Sequence, residues 1–129
     1  MSNPLFENAE KFADRILDMC DYLLEQQEES KYGQQRKHVR YSTRVIVEQI
    51  TRSGTSIGAN ISEGQGVQSK ADLTAKFSIS FKEANETYYW LRRMKNHKII
   101  NETMYESLNN DLQEILRLLT SSLNTLKNK

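Results

Sequence analysis

The segment from residue 52 to residue 64 places small and polar residues inside a long amphipathic helical pattern, and it reads RSGTSIGANISEG. On a helix with about 100° per residue, one narrow stripe contains Arg52, Ser56, Asn60 and Glu63. A second stripe, about 100° around the same helix, contains Ile46, Ile50, Ser53, Ile57 and Ile61. An apolar stripe beside a stripe of small and hydrogen-bonding residues predicts a helix that contacts two neighbours. We expect it to pack closely and to use hydrogen bonds from Ser56 and Asn60.

Composition limits the remaining possibilities. A chain of 129 residues fits one domain, which we assign to residues 1–129. Cys20 is the single cysteine, so no intrachain disulfide forms, and we interpret it as a core or boundary residue. The sequence begins without a basic-then-apolar signal, and no apolar run approaches the roughly 18 residues of a membrane span. We therefore expect a cytoplasmic protein without membrane contact.

Helix signals divide the chain into four segments. Asn3 before Pro4, Ser69 before Asp72, and Asn101 are the predicted starts of helices 1, 3 and 4.

Helix 2 is predicted from about Gln35 to near Glu63, and the clearest break follows at Gly64, Gln65 and Gly66. Four helices of roughly 25 residues with short turns indicate an all-α fold, the antiparallel up-down-up-down four-helix bundle.

The third helix carries two stripes of large side chains. The stripe assigned to the core contains Leu73, Phe77, Ser80, Phe81, Ala84, Tyr88 and Leu91. The other lies roughly opposite and contains Ile79, Glu83, Glu86, Trp90 and Arg93. Burying a large apolar side chain is worth about 1.5–3 kcal/mol, so we expect the Ile79 and Trp90 face to be covered by a second copy.

Charge is unevenly distributed although the net charge is only +1. Residues 1–30 carry −6, residues 31–100 carry +8, and residues 101–129 carry −1. Two basic groups occur near the start of helix 2 and the end of helix 3, which an antiparallel bundle brings to one pole. The candidate nucleic-acid-binding residues are Arg36, Lys37, Arg40, Arg44, Arg92, Lys95 and Lys98. The alternative interpretation is that these are solubilising charges at helix ends.

Catalytic and metal-binding patterns are not found in the sequence. A carboxylate-bridged metal site in a bundle needs Glu-x-x-His pairs, and neither His38 nor His97 lies three residues after a glutamate. Glu83 and Glu86 are instead expected to pair with an arginine such as Arg52 or Arg93. No nucleophile elbow or P-loop is present. We therefore predict no enzyme activity, no catalytic residues, no metal and no cofactor.

The segment RSGTSIGANISEG, followed by QSKADLTAKFSISFKEANETYYWL at 68–91, closely resembles the large-subunit ribosomal RNA intervening-sequence proteins. The resemblance spans roughly residues 40–100. It implies an up-down bundle that forms a ring-shaped homo-oligomer, typically a pentamer. A related branch, the accessory variability determinants of diversity-generating retroelements, is more strongly basic and binds RNA and a reverse transcriptase.

The family signature corresponds to positions on helices 2 and 3 that the resemblance assigns mainly to bundle and subunit packing. These positions are Arg52, Ser56, Ile57, Asn60, Glu63, Gly64, Ser69, Lys70, Glu83, Glu86, Tyr89, Trp90 and Leu91. The oligomer interface is accordingly predicted to contain Arg52, Ser56, Asn60, Glu63, Ile79, Glu83, Glu86, Trp90 and Arg93.

The sequence thus predicts a non-enzymatic scaffold that contacts RNA or a ribonucleoprotein through a basic end. The family resemblance implies that this scaffold is a homopentamer. Two alternatives remain open at this stage. One is a purely structural or protein-binding module without affinity for nucleic acid. The other is a bundle that binds a metal or another ligand.

Overall fold

The computed structural model describes residues 3–28 and 39–128, and within them it contains four helices and no strand. The helices are α1 (Pro4–Glu28), α2 (Tyr41–Gln65), α3 (Lys70–Asn96) and α4 (Glu102–Lys127). None of these helices is long and apolar enough to cross a membrane.

Three helices begin at the side-chain caps that the sequence indicates. Asn3 Oδ1 accepts from the Phe6 amide at 3.2 Å, and Ser69 Oγ accepts from the Asp72 amide at 3.0 Å. Asn101 Oδ1 accepts from the Met104 amide at 2.8 Å. Each cap satisfies an amide that lacks a partner within its own helix, which stabilises the start by about 0.5–2 kcal/mol. These three predictions are confirmed.

The predicted start of α2 near Gln35 is wrong. Arg40 has the extended backbone angles φ −59° and ψ 144°, and the helix begins at Tyr41 without a side-chain cap. Val39 is buried although it precedes the helix, so this part of the chain is extended and becomes helical only at Tyr41. The predicted residues 35–38 lie outside the described residues.

The break after α2 lies two residues later than the sequence pattern indicates. Gly64 and Gln65 are still helical, and Gly66 follows the last helical residue. Gly64 is required for packing, because a Cβ there would lie 3.1 Å from Leu73 Cδ1 and 3.3 Å from Phe77 Cε1. The glycine therefore allows α3 to approach α2.

The core lies between helices that each contact two others. Helix α2 packs on α1 and α3, and α4 also packs on α1 and α3. Across residues 3–28 and 39–128, the backbones of α1 and α3, and those of α2 and α4, do not come as close as those of the neighbouring helices. The fully buried side chains come from all four helices and include Phe12, Ile16, Ile50, Ile57, Ile61, Leu91, Met94, Leu108, Leu112, Ile115 and Leu119.

Two glycines in the middle of α2 face α1 within the same chain. A Cβ on Gly54 would lie 3.3 Å from Ile16 Cγ1, and one on Gly58 would lie 3.6 Å from the Ala9 carbonyl group. A glycine inside a helix costs about 1 kcal/mol relative to alanine, and close packing of two helices offsets this cost. The prediction that this helix contacts two neighbours through close packing is confirmed, with α1 and α3 as the neighbours.

Buried hydroxyl groups join α2 to α3. Ser80 Oγ donates to the Ile57 carbonyl at 2.9 Å, and Thr87 Oγ1 lies 2.9 Å from Ser53 Oγ. Since Ser53, Ser80 and Thr87 are fully buried, each bond satisfies a group that would otherwise lose water without replacement. These bonds fix the register of the two helices that carry the candidate site.

Candidate functional site

The two basic groups of the sequence meet at one end of the fold. Arg40, which precedes α2, donates from Nη2 to the carbonyl of His97, which follows α3, at 3.1 Å. We call the surface formed by Arg40, Arg44, Arg92, Arg93, Lys95 and Lys98 the basic end. The prediction that the start of α2 and the end of α3 share a pole is confirmed. Arg36 and Lys37 lie outside the described residues.

Few carboxylates oppose the cations of the basic end. Lys95 Nζ lies 3.7 Å from Glu102 Oε1. Among the described residues, Arg44, Arg92, Arg93 and Lys98 have no carboxylate within salt-bridge distance. Arg44 donates instead from Nη2 to the Val39 carbonyl at 3.4 Å. The positive charge of Arg44, Arg92, Arg93 and Lys98 is therefore not balanced by a carboxylate among the described residues.

Aromatic rings hold two of these arginines in place. The guanidinium of Arg92 lies 4.6 Å from the ring centre of Tyr88, and that of Arg93 lies 5.1 Å from the ring centre of Tyr89. In each pair the tyrosine and the arginine are four residues apart in sequence, so the ring and the cation are neighbours on one face of the helix. The Nε atoms of Arg92 and Arg93 are buried without a hydrogen-bond partner among the described residues.

A second polar cluster joins α2 to α3 on the adjoining surface. Arg52 Nη1 donates to Glu83 Oε1 at 3.2 Å, and Arg52 Nη2 pairs with Glu86. Trp90 Nε1 donates to Glu86 Oε2 at 3.1 Å. The expected pairing of the two glutamates with Arg52 is confirmed, and it is made within one chain. The hydrogen bond from Arg52 lowers the pKa of the Glu86 carboxyl, and the same bond raises the pKa of Arg52.

The remaining polar residues of the α2 stripe bond locally. Ser56 Oγ donates to the Arg52 carbonyl at 2.6 Å, and Asn60 Nδ2 donates to the Ser56 carbonyl at 2.8 Å. Glu63 accepts from Lys76 Nζ of α3 at 2.6 Å. Both hydrogen bonds from Ser56 and Asn60 therefore stay within α2, and only the ends of the stripe, Arg52 and Glu63, reach α3.

The apolar part of the predicted interface is divided in the structure. Ile79 is 42% exposed, so its side chain is open to a partner. Trp90 is half-buried and packs against the core of its own chain, while its ring contacts Tyr89 edge-on at 5.0 Å between centroids. Ile79 is consequently the more open of the two side chains.

A sequence model described as 23S rRNA-intervening sequence protein matches residues 3–121, nearly the whole chain. The chain belongs to the 23S rRNA-intervening sequence protein family. The resemblance seen in residues 40–100 is thereby confirmed and extends over parts of all four helices. No curated protein matches the chain.

A solved structure carries the same fold as this member of the intervening-sequence family. It is a 1.70 Å crystal structure of a protein with unknown function from the S23 ribosomal protein family of Bacteroides thetaiotaomicron VPI-5482. The two proteins are 40% identical, with a TM-score of 0.78 over 92% of this chain and 97% of that chain.

Metal binding receives no support from the geometry of this family member. Glu83 and Glu86 are both engaged by Arg52, which supplies the positive charge that a metal ion would otherwise bring. The described part of the chain contains no group of three or more histidine, cysteine or acidic side chains arranged to hold a metal ion.

Arg93 belongs by sequence both to the basic group at the end of helix 3 and to the predicted subunit interface, and in the structure it lies beside the other cations of the basic end. Tyr88 and Tyr89 were not assigned to that end at all. The signal that could have found them is the segment YYWLRR at 88–93, where tyrosines and arginines are spaced four apart. That spacing places a cation over a ring on any helix.

The acid dependence of stability tests the Arg52–Glu86 pair. Because the pKa of Glu86 is lowered in the folded protein, its stabilisation is present above the ordinary glutamate pKa of about 4.3 and is lost as pH falls through the lowered value. Glu86→Gln is therefore expected to flatten the fall of the urea midpoint with decreasing pH. In an Arg52→Gln background the same change should have a clearly smaller effect, because of the two hydrogen bonds that lower the pKa of Glu86 the one from Trp90 remains. An equal effect in both backgrounds would assign the pH dependence to other groups.

Proposed function

We propose that this protein is a non-enzymatic cytoplasmic scaffold that forms a closed ring, most simply of five copies, and contacts RNA or a ribonucleoprotein. The observation that carries the proposal is the basic end. There the α2 start and the α3 end present Arg44, Arg92, Arg93 and Lys98 without carboxylate partners among the described residues. Cations at the surface that no carboxylate neutralises are suited to phosphate contacts.

The comparisons support RNA as the class of partner. The description of the family names 23S rRNA, and the solved relative is described as a protein with unknown function from the S23 ribosomal protein family. The chain has a net charge of only +1, so the proposal confines RNA contact to one end rather than to the whole surface. The polar cluster of Arg52, Glu83 and Glu86 carries one positive and two negative charges, so the proposal leaves it outside that contact.

An up-down-up-down arrangement of the helices is part of the proposal. It is supported by three contacts between α2 and α3 in which the residue numbers rise along α2 and fall along α3, as they do between antiparallel helices. These contacts are Ser53 with Thr87, Ile57 with Ser80, and Glu63 with Lys76. The subunit contact is proposed to use the exposed stripe of α3 around Ile79. Trp90 and Arg93 form the edge of this contact, and the side of each that lines the neighbouring groove stays open to solvent. The cluster of Arg52, Glu83 and Glu86, together with Ser56, Asn60 and Glu63 of α2, borders the same surface.

Charge neutralisation tests the RNA contact. The triple variant Arg44→Gln, Arg92→Gln, Lys98→Gln is expected to weaken binding of a fluorescein-labelled single-stranded RNA by at least about tenfold in anisotropy titrations. The wild type should lose affinity steeply with salt, since each phosphate contact adds about −0.7 to the slope of log K against log salt for single strands. The triple variant should show a shallower slope.

A matched control removes the same charge elsewhere. The control is a triple variant that neutralises three exposed lysines away from the basic end: Lys11→Gln, Lys70→Gln, Lys127→Gln. It should leave RNA affinity nearly unchanged. If both triple variants bind like the wild type, the basic end is not the site. If the wild type binds no RNA even at low salt, the scaffold acts as a protein-binding module instead.

A further inference from the structure

A groove lies beside the basic end, between the first turn of α2 and the last turns of α3. Its volume is about 310 Å³, and its lining includes Tyr41, Val45, Tyr89, Trp90, Arg93 and His97. The Tyr41 side chain is 82% exposed and Tyr89 is 45% exposed. Two tyrosines and the single tryptophan of the chain thus border one opening that also contains an arginine.

The rings of the groove offer surfaces for a flat aromatic ligand. The Tyr89 and Trp90 rings meet at 81°, so they form two perpendicular surfaces rather than a closed stack. Tyr41 is the first residue of α2 and lines the same groove. A base that enters the opening could stack on one ring while it contacts the edge of another, and such stacking needs no particular base.

The polar part of the groove suits an anion. Helix α2 begins without a side-chain cap, so no capping side chain accepts a hydrogen bond from the amides of its first turn. Ser42 of that turn lines the groove. The Arg93 guanidinium lies over the Tyr89 ring and has no carboxylate partner among the described residues. An anionic group attached to a flat ring matches this combination, whereas a purely apolar ligand would leave the cation and the amides unused.

We infer that this groove binds one unpaired nucleotide of an RNA, with the base on Tyr41, Tyr89 and Trp90 and a phosphate near Arg93 and the α2 start. The inference rests on the proposed function, because the same basic end directs the strand to the groove. It adds that the protein selects single-stranded or looped RNA, since bases in a duplex are stacked on one another and cannot enter.

Trp90 is the only tryptophan, so its fluorescence reports on the groove directly. Addition of a short single-stranded RNA is expected to quench this emission, and a duplex of the same sequence should quench it much less. Tyr41→Ala should weaken single-strand binding by about 5- to 100-fold and leave the weaker duplex binding unchanged. Tyr22→Ala removes a comparably open tyrosine, 57% exposed on α1, and should change neither.

Each contrary result has a distinct meaning. If Tyr41→Ala binds single strands like the wild type while the triple charge variant does not, the groove inference fails and the proposed function stands. If neither RNA form binds the wild type at low salt, the proposed function fails as well. A third result is that assembly of the protein already protects Trp90 fluorescence from quenching by acrylamide and that RNA does not change this protection. That result would assign the groove to a second copy and overturn the inference.

Discussion

Leu112→Ala is expected to lower the free energy of unfolding by about 2–5 kcal/mol. Leu112 of α4 is fully buried in the core, so truncation removes apolar contacts and leaves a cavity that rigid helices fill only in part. Domains of this kind are stable by only about 5–15 kcal/mol, so the change is a large fraction of the total. Urea denaturation followed by circular dichroism at a fixed protein concentration measures it.

Leu17→Ala is the matched control for this prediction. Leu17 is 40% exposed on α1, although its spacing in the sequence places it with the apolar residues of that helix. The same truncation there should change stability by no more than about 0.5 kcal/mol. Equal losses at the two leucines would mean that α1 buries Leu17 against a partner.

Ile79→Asp is expected to convert the proposed ring into single subunits of 15.0 kDa. A buried carboxylate without a partner is strongly unfavourable, so a charge in the centre of a subunit contact opposes assembly. Multi-angle light scattering should show the mass fall about fivefold while the circular dichroism spectrum remains helical. Trp90→Ala should also lower the mass, but it additionally removes packing within the chain.

Met104→Asp is the control for the charge itself. Met104 is a similarly exposed apolar residue, and it lies in the first turn of α4, where an acidic side chain is tolerated. The mass of the assembly formed by the Met104→Asp variant should equal that of the wild type in multi-angle light scattering. An unchanged mass for Ile79→Asp would remove the α3 stripe from the subunit contact, and a wild-type mass of one subunit would remove the ring from the proposal.

The helices were largely predictable because their signals are local. A cap such as Ser69 acts on an amide three residues away, and the hydrophobic period of α4 depends on neighbours within two turns. The α2 start was mispredicted for the opposite reason. The chain is extended at Arg40, next to the buried Val39, and burial of a side chain outside a helix is not recorded by any local pattern.

The candidate site was predictable only in part. The sequence indicated two basic groups and their common pole, and it indicated that Glu83 and Glu86 meet an arginine. The sequence did not show that Arg52 forms its ion pairs within its own chain. A helical stripe has the same pattern whether it faces a neighbouring helix or a neighbouring copy. The groove beside Tyr41 was also beyond reach, since its walls come from residues about 50 positions apart.

The sequence by itself determined the four helices, three of their starts, the family and the separation of acidic from basic segments. These features depend on hydrogen bonds and side-chain spacing along the chain. Only the tertiary structure decided which small residues face α1, which glutamates Arg52 engages, and which rings surround the groove. These depend on the separation and relative rotation of packed helices, which are fixed by contacts such as Gly58 with Ala9 between residues distant in sequence.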